Sequence, residues 1–148
     1  MYPGKDAWNC KKEGFKESVG NKTLLVFIID STLFCSKKML KFSTNITSLP
    51  KISFCGSYKS IFTFKKEPYE YCVSTIESCY YLIKELQSCD MVDKDVNPEP
   101  LMDVFKHMIK FQLVKENERI ENGLPSTHQK DVVYNTIKEI PDFLQQTE

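Results

Sequence analysis

Two groups of residues have types and spacing suited to chemistry. Asp30, Ser31 and Thr32 close the apolar run LLVFII at 24–29, and Ser74, Thr75 and Glu77 open a helical pattern further along the chain. A carboxylate at the end of a strand can take a proton or orient the group that loses it. Hydroxyls beside the unpaired amides of a helix start can hold an anion. The same residue types also have a plainer use, accepting hydrogen bonds from the free N–H groups of a helix start. STIE at 74–77 fits a capping box, in which the Ser74 hydroxyl and the Glu77 carboxylate each satisfy a backbone donor of the first turn. An ionised carboxylate is costly to bury unless it is paired or hydrogen-bonded. Asp30 therefore either caps a helix or does chemistry, and residue types alone leave both readings open.

Other groups are less distinctive. Lys37, Lys38 and Lys41 fit a solvated helix face as well as a row of phosphate contacts. Phe62 and Phe64 beside Lys65 and Lys66 have the makeup of a base-stacking platform, although aromatic side chains in a strand equally fill a core. The six cysteines, at 10, 35, 55, 72, 79 and 89, show no C-x-x-C spacing, and with His107 and His128 they form no zinc-ligand pair at knuckle spacing. No metal site is expected from that pattern. The chain has no Gly-rich phosphate loop, no G-x-S-x-G and no H-E-x-x-H.

The elements that must position these residues follow from periodicity. Residues 1–22 read as a loop with at most a short helix near Lys11 to Ser18. Thr23 to Ile29 reads as a buried strand, being continuous, β-rich and of strand length. A helix capped by Ser31 or Thr32 follows to Leu40, with Met39 and Leu40 on its inner face. Strands are expected at 50–56, closed by Gly56, and at 58–68, stopped by Pro68. Ser74 opens the clearest helix, with Ile76, Cys79, Tyr80, Ile83 and Leu86 on one stripe. After the Asp- and Pro-rich linker 90–100, a second helix is expected from about Glu99 to Lys115, with Pro100 in its first turn. Its expected stripe is Leu101, Val104, Phe105, Met108, Ile109 and Phe111 or Gln112. A polar tail with a weak helical pattern at 132–144 ends the sequence.

Strand, helix, two strands and two helices suggest an α/β layer structure. In such sheets ligands sit beyond the carboxyl ends of the strands, which is where Asp30, Ser31 and Thr32 fall. At 148 residues the chain suits one domain. Lys plus Arg and Asp plus Glu number 20 each, so net charge points to no polyanion partner, but basic residues gather before residue 67 and acids after it. That asymmetry permits a local polyanion surface on a neutral protein. The longest apolar run is too short to span a bilayer, and the N-terminus lacks the core of a secretory leader. Reduced thiols inside a cell, in cytoplasm or nucleus, are therefore expected.

Taken in order, the motifs form a set: YPGKDA (2–7), the strand into DST (30–32), SKKML (36–40), LPKISF (49–54), FKKEP (64–68), STIES (74–78) and LMDVFKHMIKFQL (101–113). This set resembles the DTW-domain family, the tRNA-uridine aminocarboxypropyltransferases. The counterparts are Tyr2, Pro3 and Ala7; Asp30 and Thr32; Lys37; Glu67 and Pro68; Ser74, Thr75 and Glu77; and Phe111, Gln112 and Leu113. Leu33 stands where the family's tryptophan would be, and the family's N-terminal section with cysteine pairs has no counterpart here.

The resemblance implies a SPOUT-like, knotted α/β domain, incomplete at its N-terminus, over residues 1–116, with residues 117–148 as a polar tail. A sheet lacking its first strand would expose an edge for a partner or a second copy to cover. It implies transfer of the 3-amino-3-carboxypropyl group of S-adenosylmethionine to N3 of a tRNA uridine. Asp30 would take or orient the N3 proton. Tyr2, Pro3, Thr32, Ser74 and Thr75 would hold S-adenosylmethionine, and Lys37, Lys38, Lys65 and Lys66 would hold tRNA phosphates. The alternatives are an inactive remnant that binds RNA or a partner, and a structural interaction module with ordinary helix caps.

Overall fold

The computed structural model describes residues 6–62, 69 and 71–125. Five helices form among them: α1 (Phe15–Val19), α2 (Leu33–Phe42), α3 (Thr44–Thr47), α4 (Thr75–Ser88) and α5 (Glu99–Glu121). Together they hold about half of the described residues.

The expected α/β sheet does not form among the described residues. The sheet-like pairing there is a single parallel bridge between Trp8 and Ile52, closed by Trp8 N–H to the Lys51 carbonyl (2.7 Å) and Ser53 N–H to the Trp8 carbonyl (2.8 Å). These residues hold no layer of strands for a SPOUT-like knotted domain, and no sheet edge that would need a covering partner. The reason lies in where the backbone donors go. The N–H groups of Cys55, Gly56 and Ile61 donate to the carboxylates of Glu85 and Glu77 rather than to a neighbouring strand. Donors satisfied by side chains are not free to build a ladder.

Thr23–Ile29, expected as a fully buried strand, takes no regular secondary structure. Val26 and Ile28 pack on the core, while Leu25 and Phe27 are 74% and 55% exposed, so only alternate side chains are inward. Residues 63–68 of the third expected strand and the weak helical pattern at 132–144 lie outside the described residues.

The fold is organised around α4, which is clad on two sides. Leu82 and Leu86 join Phe15 in one apolar cluster, with Trp8, Val26, Ile28, Ile52 and Phe54 packed against it. Ile76 and Tyr80 pack on the second cluster, formed by Met102, Phe105, Ile109 and Leu113 of α5. The expected stripe on α4 is thus split between two partners, and only its Leu86 is fully buried. On α5 the buried line is Met102, Phe105, Ile109, Leu113 and Glu116, rotated from the expected one, so Val104 (65%) and Phe111 (63%) face outward. A seven-residue spacing of apolar positions exists on both faces of this helix, and only contact with α4 selects one.

Helix ends follow local rules. Pro100 lies in the first turn of α5, where its missing N–H is not needed. α4 ends with Asp90 at φ 55°, Asp90 N–H on the Gln87 carbonyl and Met91 N–H on the Leu86 carbonyl. α5 repeats that pattern with Gly123 at φ 71°, in both cases a left-handed residue that lets two late carbonyls be satisfied.

Candidate functional site

The start of α4 is fastened by a fully buried carboxylate. Ser74 is the N-cap: its hydroxyl accepts the Glu77 N–H, and Glu77 Oε2 accepts the Ser74 N–H at 2.7 Å, which completes the capping box expected from STIE. The same carboxylate accepts the hydroxyls of Ser74 (2.6 Å) and Ser60 (2.7 Å) and the N–H of Ile61 (2.7 Å). Four donors and the positive end of the helix dipole compensate a charge that no solvent reaches.

Two turns later Glu85 does the same for the preceding loop. It accepts the N–H groups of Cys55 and Gly56, each at 2.9 Å, and the Tyr58 hydroxyl at 2.8 Å. The Tyr58 ring stacks on Tyr81, with centroids 3.9 Å apart and planes 13° from parallel. Burial, and then the hydrogen bond to a charged acceptor, push the Tyr58 phenol well above its ordinary range, so it stays a donor. A Cβ on Gly56 would lie 2.9 Å from the Tyr58 ring, which makes glycine the residue that permits this packing.

Beside the start of α4 lies a cavity of about 1050 Å³. Asp30, Thr32, Lys37, Ser74 and Thr75, all site residues expected from the sequence, line it. Thr32 is the N-cap of α2 and accepts the Cys35 N–H at 3.3 Å. Asp30 does not cap α2. It is exposed, and its Oδ1 accepts the hydroxyl of Thr75, the first residue of α4, at 2.6 Å. The carboxylate thus sits at the favourable end of a helix other than the one that follows it in sequence. Burial first, and then the Asp30 charge, raise the Cys79 thiol.

Leu33 adds an aliphatic side chain to the wall, and Val104 and Met108 of α5 add more. Lys38 is exposed on α2 and does not line the cavity. Tyr2, Pro3, Lys65 and Lys66 lie outside the described residues. Phe62 packs on Phe105, with centroids 5.5 Å apart, as a core aromatic. His107 is exposed, with Nδ1 2.7 Å from the Asp103 carbonyl.

Sequence reasoning missed Glu85, Tyr58 and the loop-holding role of Glu77. The available signal was an acid within each turn that also carries core residues, a position that an unpaired charge avoids. It also missed a cluster of thiols: the Cys10 and Cys55 sulfurs and a Glu85 oxygen lie within 4.8 Å of one another. All six cysteines are free.

No helix among the described residues is long and apolar enough to cross a membrane. We found no match among curated proteins or among solved structures. The family model of the DTW domain matches residues 1–113, a span that contains the Asp30 loop, Lys37 and the Ser74 helix start around their common cavity. The chain belongs to the DTW domain family, which is associated with transferases that form aminocarboxypropyl-uridine in tRNA.

Proposed function

We propose that the chain transfers the 3-amino-3-carboxypropyl group of S-adenosylmethionine to N3 of a tRNA uridine, in the cavity beside α4. The observation that carries this reading is the convergence of Asp30, Thr32, Lys37 and Thr75 on one cavity in a chain of this family. The cavity has room for a nucleoside-sized substrate: at about 1050 Å³ its volume is just above the roughly 300–1,000 Å³ typical of ligand pockets. Its wall also joins apolar side chains, Leu33, Val104 and Met108, to a carboxylate, hydroxyls and a cation.

Each residue then has a task. Asp30 takes the proton of uridine N3 or orients the base that loses it. Thr75 holds the carboxylate in place through its hydroxyl. Thr32 spends an acceptor on the Cys35 amide and keeps its own proton for a substrate oxygen. Lys37 offers a cation to the substrate's carboxylate. Ser74 acts as a positioning residue, because its hydroxyl proton goes to Glu77. S-adenosylmethionine, as a substrate, supplies a carbon made electrophilic by its sulfonium: the N3–C bond forms as the C–S bond breaks, and methylthioadenosine departs with the electron pair. The protein's part is mainly to bring the two substrates together. Lys38 and Lys41, exposed on α2, suit tRNA phosphates.

The test is incubation of the purified protein with unmodified tRNA and S-adenosylmethionine labelled in the aminocarboxypropyl group, followed by mass spectrometry of the nucleosides. Labelled aminocarboxypropyl-uridine is the expected product. No transfer with retained tRNA binding would instead support an inactive, RNA-binding member of the family, a reading favoured by Leu33 in place of tryptophan.

A further inference from the structure

Three segments distant in sequence meet at one point on the far side of α4 from α5. Cys10 lies in the turn before α1, Cys55 in the loop after the Trp8–Ile52 bridge, and Glu85 in the second half of α4. The Cys10 and Cys55 sulfurs and a Glu85 carboxylate oxygen are within 4.8 Å of one another. Cys89 packs against the same apolar cluster as Cys10, and its thiol donates to the Leu86 carbonyl at 3.3 Å. No pair of these residues has a metal-ligand spacing, which is why the sequence pattern hid them.

We propose that Cys10, Cys55 and Glu85 hold a zinc ion, with a water as fourth ligand, that fastens the N-terminal turn and the 55–58 loop to α4. Two sulfurs, a carboxylate oxygen and a water are a donor set that zinc accepts in tetrahedral geometry, with zinc–sulfur bonds of about 2.3 Å and hence sulfurs roughly 3.8 Å apart. The Cys10 and Cys55 sulfurs and the Glu85 oxygen lie within 4.8 Å of one another, and small side-chain rotations bring them to bonding distance.

The surroundings are built for such an ion. The Cys55 thiol donates to Asn9 Oδ1 at 3.6 Å, a weak contact that gives way when the thiol's proton leaves on metal binding. Glu85 Oε1 is occupied by Gly56 N–H and the Tyr58 hydroxyl, which fix the carboxylate's orientation. Its Oε2 takes only a share of the Cys55 N–H, and a lone pair remains for a cation. Each thiol that becomes a ligand releases its proton to solvent. A metal clasp also suits the packing here, since among the described residues the neighbouring cluster has three buried apolar side chains, Phe15, Leu82 and Leu86.

The chain is stripped of metal with a chelator and titrated with Co²⁺, then with Zn²⁺. The expected result is one equivalent of Co²⁺ with sulfur-to-cobalt charge-transfer absorption, displaced by Zn²⁺. Quenching of Trp8, the single tryptophan, should accompany cobalt binding because Trp8 packs in the adjoining cluster. The quadruple variant Cys35→Ser, Cys72→Ser, Cys79→Ser, Cys89→Ser retains only the two clustered thiols and should bind as the unsubstituted chain does. Cys10→Ser and Cys55→Ser should each weaken binding at least tenfold. Absence of sulfur-to-cobalt absorption in the unsubstituted chain overturns the proposal, whether or not the serine variants fold. Equal affinity in Cys10→Ser would overturn it too.

Discussion

Thr75 donates its hydroxyl to Asp30 Oδ1 at 2.6 Å, joining two residues 45 positions apart at the first turn of α4. The pair ties the loop before α2 to the start of the central helix, and it brings together residues the sequence marks separately. It also turns the choice between capping and chemistry at Asp30 into an experiment.

Asp30→Asn keeps an oxygen for the Thr75 hydroxyl and removes the base. Thermal stability should change little, because Asp30 is exposed and the hydrogen bond survives. Transfer to tRNA should fall by roughly 10²–10⁴-fold if Asp30 handles the N3 proton. Full activity in this variant would return Asp30 to a purely structural role.

Glu77 and Thr32 cap different helices under different conditions. Thr32→Ala removes one exposed cap and should lower stability by about 1 kcal/mol. Glu77→Ala leaves the buried donors of Ser60, Ile61 and Ser74 without an acceptor, and about 3 kcal/mol or more is expected. Urea denaturation of both variants should show the larger loss at Glu77.

Gly56→Ala forces its new methyl against the Tyr58 ring, which Glu85 and Tyr81 hold in place. The clash should cost about 1–3 kcal/mol. Near-ultraviolet circular dichroism should report it as a weakened Tyr58–Tyr81 stacking signal. An unchanged spectrum would show that the ring moves aside freely.

Paired alanines on α5 check which stripe is buried. Ile109→Ala removes a side chain with no exposed surface and should cost roughly 2–5 kcal/mol. Phe111→Ala, on the exposed face, should stay within about 0.5 kcal/mol. Comparable losses at both positions would mean that Phe111 is covered in solution.

Local chemistry was legible in the sequence. The capping box at Ser74 and Glu77, the Thr32 cap of α2, the position of Pro100, the extent of α4 and the start of α5 all depend on residues within a turn or two of one another, whereas α5 runs to Glu121, past the expected end near Lys115. The order of short motifs also led to the family, because family membership resides in the sequence itself. What the sequence left undecided depends on contacts between distant segments. Apolar runs at 24–29 and 50–56 have strand composition, yet a ladder also needs free donors on the facing chain. Here Glu85 and Glu77, supplied by α4, take the donors of Cys55, Gly56 and Ile61. The rotation of α5 was undecided because apolar residues occupy both of its faces, and only packing on α4 shows which face is inside. The pairing of Asp30 with Thr75, and the meeting of Cys10, Cys55 and Glu85, likewise follow from three-dimensional proximity, which spacing along a chain does not encode.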